Sequence, residues 1–152
     1  MLIVAMIAGV VVLNMPPPRG GQKNDAEIFA ARLNFASEMA IMTGSVIGLE
    51  VDASGYRYFR FVDGEWNAHG NRQLQSGSFS ADTTVEITVM DQSLKNESGN
   101  TNRDDDNEDL PSPVVFISPT GETTPLIAEF VYNRRALSVN FDSAGNVSLE
   151  TP

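Results

Sequence analysis

Residues 104–109 read Asp-Asp-Asp-Asn-Glu-Asp, the densest group of potential metal ligands in the chain. Asp104, Asp106 and Glu108 alternate as oxygen donors do in a calcium loop. Such a loop also needs a glycine at its turning position and a closing glutamate, and neither stands where required. These three residues are therefore calcium candidates on spacing alone, and no metal or cofactor is expected. His69 is the sole histidine, so a catalytic triad or a histidine-rich metal centre would have to rest on it. It lies in Asn67-Ala-His-Gly-Asn-Arg72, which reads as a polar turn carrying an exposed loop histidine. Gly44-Ser-Val-Ile-Gly48 is not a nucleophile elbow, because the serine directly follows the first glycine. Carboxylate pairs of the kind glycosidases use occur by chance in any acidic chain. No glycine-rich phosphate loop is present, and Arg134-Arg135, the one adjacent basic pair, sits in a predicted hairpin turn. Asn96-Glu-Ser98 and Asn146-Val-Ser148 match the glycosylation triplet, a pattern short enough to arise by chance. No residue is assigned a catalytic role.

The whole-chain composition narrows the function classes further. A length of 152 residues fits one domain with appendages. Hydrophobic residues at 41% and charged residues at 20% describe a globular chain. Twenty acidic residues against 10 basic ones give a net charge of −10, which repels phosphate backbones and argues against nonspecific nucleic-acid binding. The absence of cysteine removes disulfides, thiolate zinc sites, iron–sulfur clusters and cysteine nucleophiles together.

Residues 1–13, MLIVAMIAGVVVL, contain no polar side chain. As a helix they would span about 20 Å, short of the ~20 apolar residues that cross a bilayer core. No basic segment precedes the run and no small-x-small cleavage site follows, so a signal peptide fits poorly. A buried helix of a soluble core would show polar positions. Residues 1–15 are best read as the C-terminal part of a longer membrane helix. Residues 16–24 follow as a Pro/Gly-rich joint, with three consecutive prolines that no continuous helix tolerates.

Residues 25–43 predict an amphipathic helix, capped by Asn24 or Asp25 and stopped at Gly44. Ala26, Phe29, Leu33, Ala36 and Ala40 form one apolar stripe. Ile28, Phe35, Met39 and Met42 form a second, on an adjacent side. Two arrangements satisfy both stripes: burial against the chain's own sheet and a separate partner, or enclosure within one domain. From residue 45 the period changes to two. Segments 46–51, 56–62, 85–89, 114–117, 126–132, 137–141 and 147–149 predict about seven strands with turns between them. Residues 44–152 thus form an antiparallel, sandwich-like β domain, interrupted at 91–113 by a long, mobile acidic loop. The predicted class is α+β.

The order of elements resembles type IV pilin-like proteins. Leu33…Ala36…Glu38-Met-Ala-Ile-Met-Thr-Gly44, Gly48-Leu-Glu-Val51, Tyr56-Arg-Tyr-Phe59 and Asp63-Gly-Glu-Trp66 resemble the minor pseudopilin H (GspH/FimT-like) pattern. Val114-Val-Phe-Ile-Ser-Pro-Thr-Gly-Glu-Thr-Thr-Pro125-Leu126 is similar to a later segment of that family, and the likeness covers nearly the whole chain. The resemblance implies a non-enzymatic subunit of the type II secretion pseudopilus near the filament tip. Its partners would be the major and other minor pseudopilins, with no small-molecule substrate. It further implies a single-pass inner-membrane anchor, a periplasmic C-terminal domain, and a partner-facing side at Ile28, Phe35, Met39 and Met42. The family's basic leader, its Gly-Phe-Thr-Leu-x-Glu cleavage motif and its methylated terminus would lie before Met1. Two other readings are a type IV pilus minor pilin for DNA uptake and a secreted β-sandwich enzyme or calcium-dependent sugar binder. The first calls for a basic patch or tail, and residues 146–152 carry no basic residue.

Overall fold

The computed structural model describes residues 21–90 and 111–151, with the side chain of Gln22 excepted. The apolar run 1–13 and the calcium candidates Asp104, Asp106 and Glu108 lie outside them.

Helix α1 runs Gly21–Thr43 and contains no proline and no internal glycine. It ends where Gly44 turns left-handed at φ 62°. The Ser45 amide then donates back to the Ala40 carbonyl, the bond that closes a Schellman-type C-cap. The start differs from expectation, because residues 21–24 are helical rather than part of the joint. Neither Asn24 nor Asp25 caps the helix. Asp25 is buried within it, and its Oδ2 accepts the Ser80 amide at 2.8 Å. A Cβ on Gly21 would lie 3.0 Å from Ser80 Oγ, so the first turn rests directly on the 80–82 loop. Tertiary packing there overrides the poor helix propensity of Gly21.

Two antiparallel sheets follow. In the first, β3 (Glu65–Ala68), β2 (Gly55–Val62), β1 (Ile47–Val51) and β6 (Val115–Ile117) lie in that order, and β4 (Gly77–Ser78) also pairs with β2. In the second, β5 (Thr84–Val89), β7 (Leu126–Tyr132), β8 (Arg135–Phe141) and β9 (Val147–Glu150) lie in that order. The described residues therefore hold nine strands against about seven expected, β3 and β4 being the additions. Turn chemistry sets the hairpin registers. Asp52 Oδ1 accepts the amides of Ser54 and Gly55, closing β1 onto β2. Asp142 Oδ1 does the same for Ala144 and Asn146 between β8 and β9. Asn133 and Arg134 both take positive φ, the signature of the two-residue type I′ turn that joins β7 to β8.

α1 lies against both sheets. Ala26, Phe29, Leu33, Ala36 and Ala40 are fully buried, joined by Ile47, Leu49, Val115 and Ile117 of one sheet and Leu126, Ala128, Phe130, Val139 and Phe141 of the other. The small alanines bring the helix backbone close, and Phe29 fills the gap between the sheets. Its ring lies 5.1 Å from Tyr56, 5.7 Å from Phe79 and 6.1 Å from Phe130. The class is α+β, as the sequence predicts.

Candidate functional site

Burying one stripe of α1 decides where the other points. At about 100° per residue, Ile28, Phe35 and Met42 repeat every seven positions along the side away from Leu33. The second stripe is thus divided, with Ile28 and Met42 facing outward and Phe35 and Met39 bordering the buried side. Ile28 is 40% exposed and Met42 79% exposed. Phe35 and Met39 are half-buried and lean back onto the core. Ile41, 56% exposed, belongs to the exposed apolar surface and was missed, because it lies beside the polar wedge of Asn34 and Glu38.

Two polar contacts tie α1 to the segment 75–80. Arg32 Nη1 donates to the Gln75 carbonyl at 2.7 Å, and its guanidinium stands 5.4 Å over the Tyr56 ring. Asp25, two turns earlier, accepts the Ser80 amide. Sequence reasoning found neither, since both join residues more than forty positions apart in the chain. Burial pushes the Tyr56 hydroxyl above its usual value and raises Tyr58 still further, so both rings stay neutral.

His69 is not an exposed loop residue. It is half-buried, and its Nδ1 accepts the Asn71 amide at 3.2 Å. Nε2 is buried without a hydrogen-bond partner among the described residues. Burial first, and then the nearby Arg60, lower its pKa from 6.5. A folded-state value below the unfolded one means this stability is complete above pH 6.5 and is lost as pH falls through the folded value. Asp52, held down chiefly by its Ser54 hydrogen bonds, and Asp142, held down chiefly by Asn146, act in a separate window below 3.8. The thermal midpoint should therefore fall between pH 7.5 and 5.0, and His69→Asn, which keeps an acceptor for Asn71, should flatten that fall. An identical pH slope in both proteins would remove His69 from the account.

Among the described residues, no group of three or more His, Cys, Asp or Glu side chains is placed to hold a metal ion. A polar cleft of about 730 Å³ opens at the β1–β2 turn. Its carboxylates are already engaged: Glu50 with Arg57 at 2.5 Å and with the Ser112 amide, and Asp52 within its own turn. That arrangement holds a hairpin and leaves no acid–base pair poised for catalysis.

Residues 25–145 match the family model described as type II transport protein GspH. The type II secretion system protein H of Aeromonas hydrophila is 27% identical over 135 residues, covering 83% of this chain and 74% of the relative. The minor pseudopilin EpsH of the Vibrio cholerae type 2 secretion system superposes with a TM-score of 0.68 at 17% identity, covering 87% of this chain and 98% of that one. The Pseudomonas aeruginosa type IV minor pilin FimU shares the fold at a TM-score of 0.58 and 15% identity, covering 88% and 94%. Since the family match runs from the first turns of α1 to the hairpin before β9, the chain belongs to the GspH family, whose members are structural pseudopilins of type II secretion and not enzymes.

Proposed function

We propose that the chain serves as a minor structural subunit near the tip of the type II secretion pseudopilus, supporting export of folded proteins across the outer membrane. As a GspH-family pseudopilin it assembles with other pseudopilins of the secretion system. The finer reading assigns the contact to the outward side of α1, with the major pseudopilin and other minor ones as neighbours. The observation that carries it is the group of exposed apolar side chains on α1, Ile28, Ile41 and Met42, which the chain's own core leaves uncovered. Large apolar side chains left exposed along one helix are the kind of surface a protein partner covers. Anchoring in the inner membrane falls to residues 1–15, with the β domain in the periplasm. Among the described residues, no helix is long and apolar enough to cross a membrane. The net charge of −10 supports secretion over DNA uptake.

The test places a carboxylate on this face. Ile28→Glu and Met42→Glu, alone and together, should reduce the filament-incorporated fraction, the double variant by about tenfold or more. Thermal stability should move little, since exposed substitutions typically change stability by about 0.5 kcal/mol. Normal incorporation of the double variant would refute the helix-face assignment.

A further inference from the structure

β5 differs from the other strands that end a sheet. β6 has three residues, and its far side is already occupied. The Phe116 carbonyl accepts the Thr124 amide, and the Phe116 amide donates to Thr124 Oγ1. β3 has four residues, and β9 lies beside α1. β5 runs for six residues, Thr-Val-Glu-Ile-Thr-Val, with no proline, glycine, lysine or arginine. Edge strands are ordinarily blunted by such residues, by shortness or by cover. Among the described strands, β5 is paired on one side only, with β7.

The register tells which main-chain groups face outward. The Met90 amide donates to the Pro125 carbonyl, and this pair continues the β5–β7 ladder. Opposed residues in an antiparallel ladder alternately exchange bonds and do not. Thr84, Glu86 and Thr88 therefore bond to β7, while Val85, Ile87 and Val89 turn their amides and carbonyls away from it. Their side chains point to the core side, where Val85 is buried and Ile87 and Val89 pack against the core. On the solvent side, Glu86 stands opposite Glu129, and the row continues through Ser138 to Glu150. No lysine or arginine shares that face in these four strands. Like charges directly opposite one another on a sheet are unfavourable.

We infer that the β5 edge accepts an extended segment of a partner protein as a fifth strand. That segment carries apolar side chains on the core side and a lysine or arginine opposite Glu86. Main-chain bonds to Val85, Ile87 and Val89 supply the affinity, and the cation beside the acidic row sets register and choice. A second copy of this chain fits poorly, since it brings another β5 carboxylate and another net charge of −10 to the same edge. The inference is independent of the α1 face, which lies on a different element.

The test uses the full chain and two short fluorescent peptides of alternating Thr and Val, one with a central Lys and one with Glu in its place. The Lys peptide should bind about fivefold or more tighter. It should also slow hydrogen exchange at the amides of Val85, Ile87 and Val89. Ile87→Pro should abolish binding by removing an outward amide. Glu86→Lys, an exposed change that keeps the fold, should reverse the preference between the two peptides. Unchanged exchange at these three amides, indifference to the Glu86 change, or self-association of the chain through β5 would each overturn the inference. Loss of filament incorporation in the α1 variants leaves it intact.

Discussion

Phe29→Ala is expected to destabilise the chain by about 3–5 kcal/mol, lowering its thermal midpoint by about 10–20 °C. Phe29 is fully buried and touches aromatic rings from both sheets and from the segment ahead of β5. Removing the ring opens a cavity whose walls are strands held in register by their own ladders, so they cannot close on it. Phe79 and Phe130 would keep their own edge-on contact at 5.2 Å, while the helix would lose its link to both. Phe29→Leu retains most of the volume and should cost about 1–2 kcal/mol. Chemical denaturation of both variants tests the arrangement. If the alanine variant lost no more stability than the leucine variant, the helix would not be wedged between the sheets.

Gly55→Ala is the second large effect, and it acts through the backbone. A Cβ at Gly55 would stand 2.3 Å from the Gly77 carbonyl oxygen, a main-chain atom with no rotamer to change. Gly77 in turn has no room to move, because a Cβ there would meet the Tyr56 ring at 2.5 Å. The β2–β4 pairing must open, releasing the Phe79 amide from the Ser54 carbonyl as well. The expected cost is about 2–3 kcal/mol, in the upper range for overpacking. Gly70→Ala is the control, since nothing lies within 4 Å of a Cβ there. Equal stability of the two variants would show that β4 does not depend on this close approach.

Legibility in the sequence tracked how local each cause was. The alternation of Val85, Ile87 and Val89 and of Leu137, Val139 and Phe141 reads directly as strand, because side-chain direction there depends only on nearest neighbours. The stop at Gly44 reads for the same reason. β4 did not: Gly77-Ser78 has no strand propensity and is held by the Tyr56 ring and Gly55, more than twenty residues away. The helix start was misplaced because Gly21 is poor helix material, and its support, the Ser80 loop, is remote in the chain. At the candidate site, the apolar character of Ile28, Phe35, Met39 and Met42 was plain. Which of them the core would partly claim was not, because that depends on side chains brought in from both sheets. His69 was misread as exposed, since the Asn71 turn that folds over it is invisible to composition.

The first described element and the last are neighbours, with α1 lying beside β8 and β9. The helix therefore cannot seat its buried stripe until the strands at the far end of the chain have formed. Contacts this distant in sequence carry a loop-closure cost before they return any stabilisation, which slows folding relative to helical proteins of the same size. A chain emerging N-terminus first would hold α1 with both apolar faces bare until residues near 140 arrive. During that interval, and not in the finished molecule, its exposed hydrophobic surface is greatest.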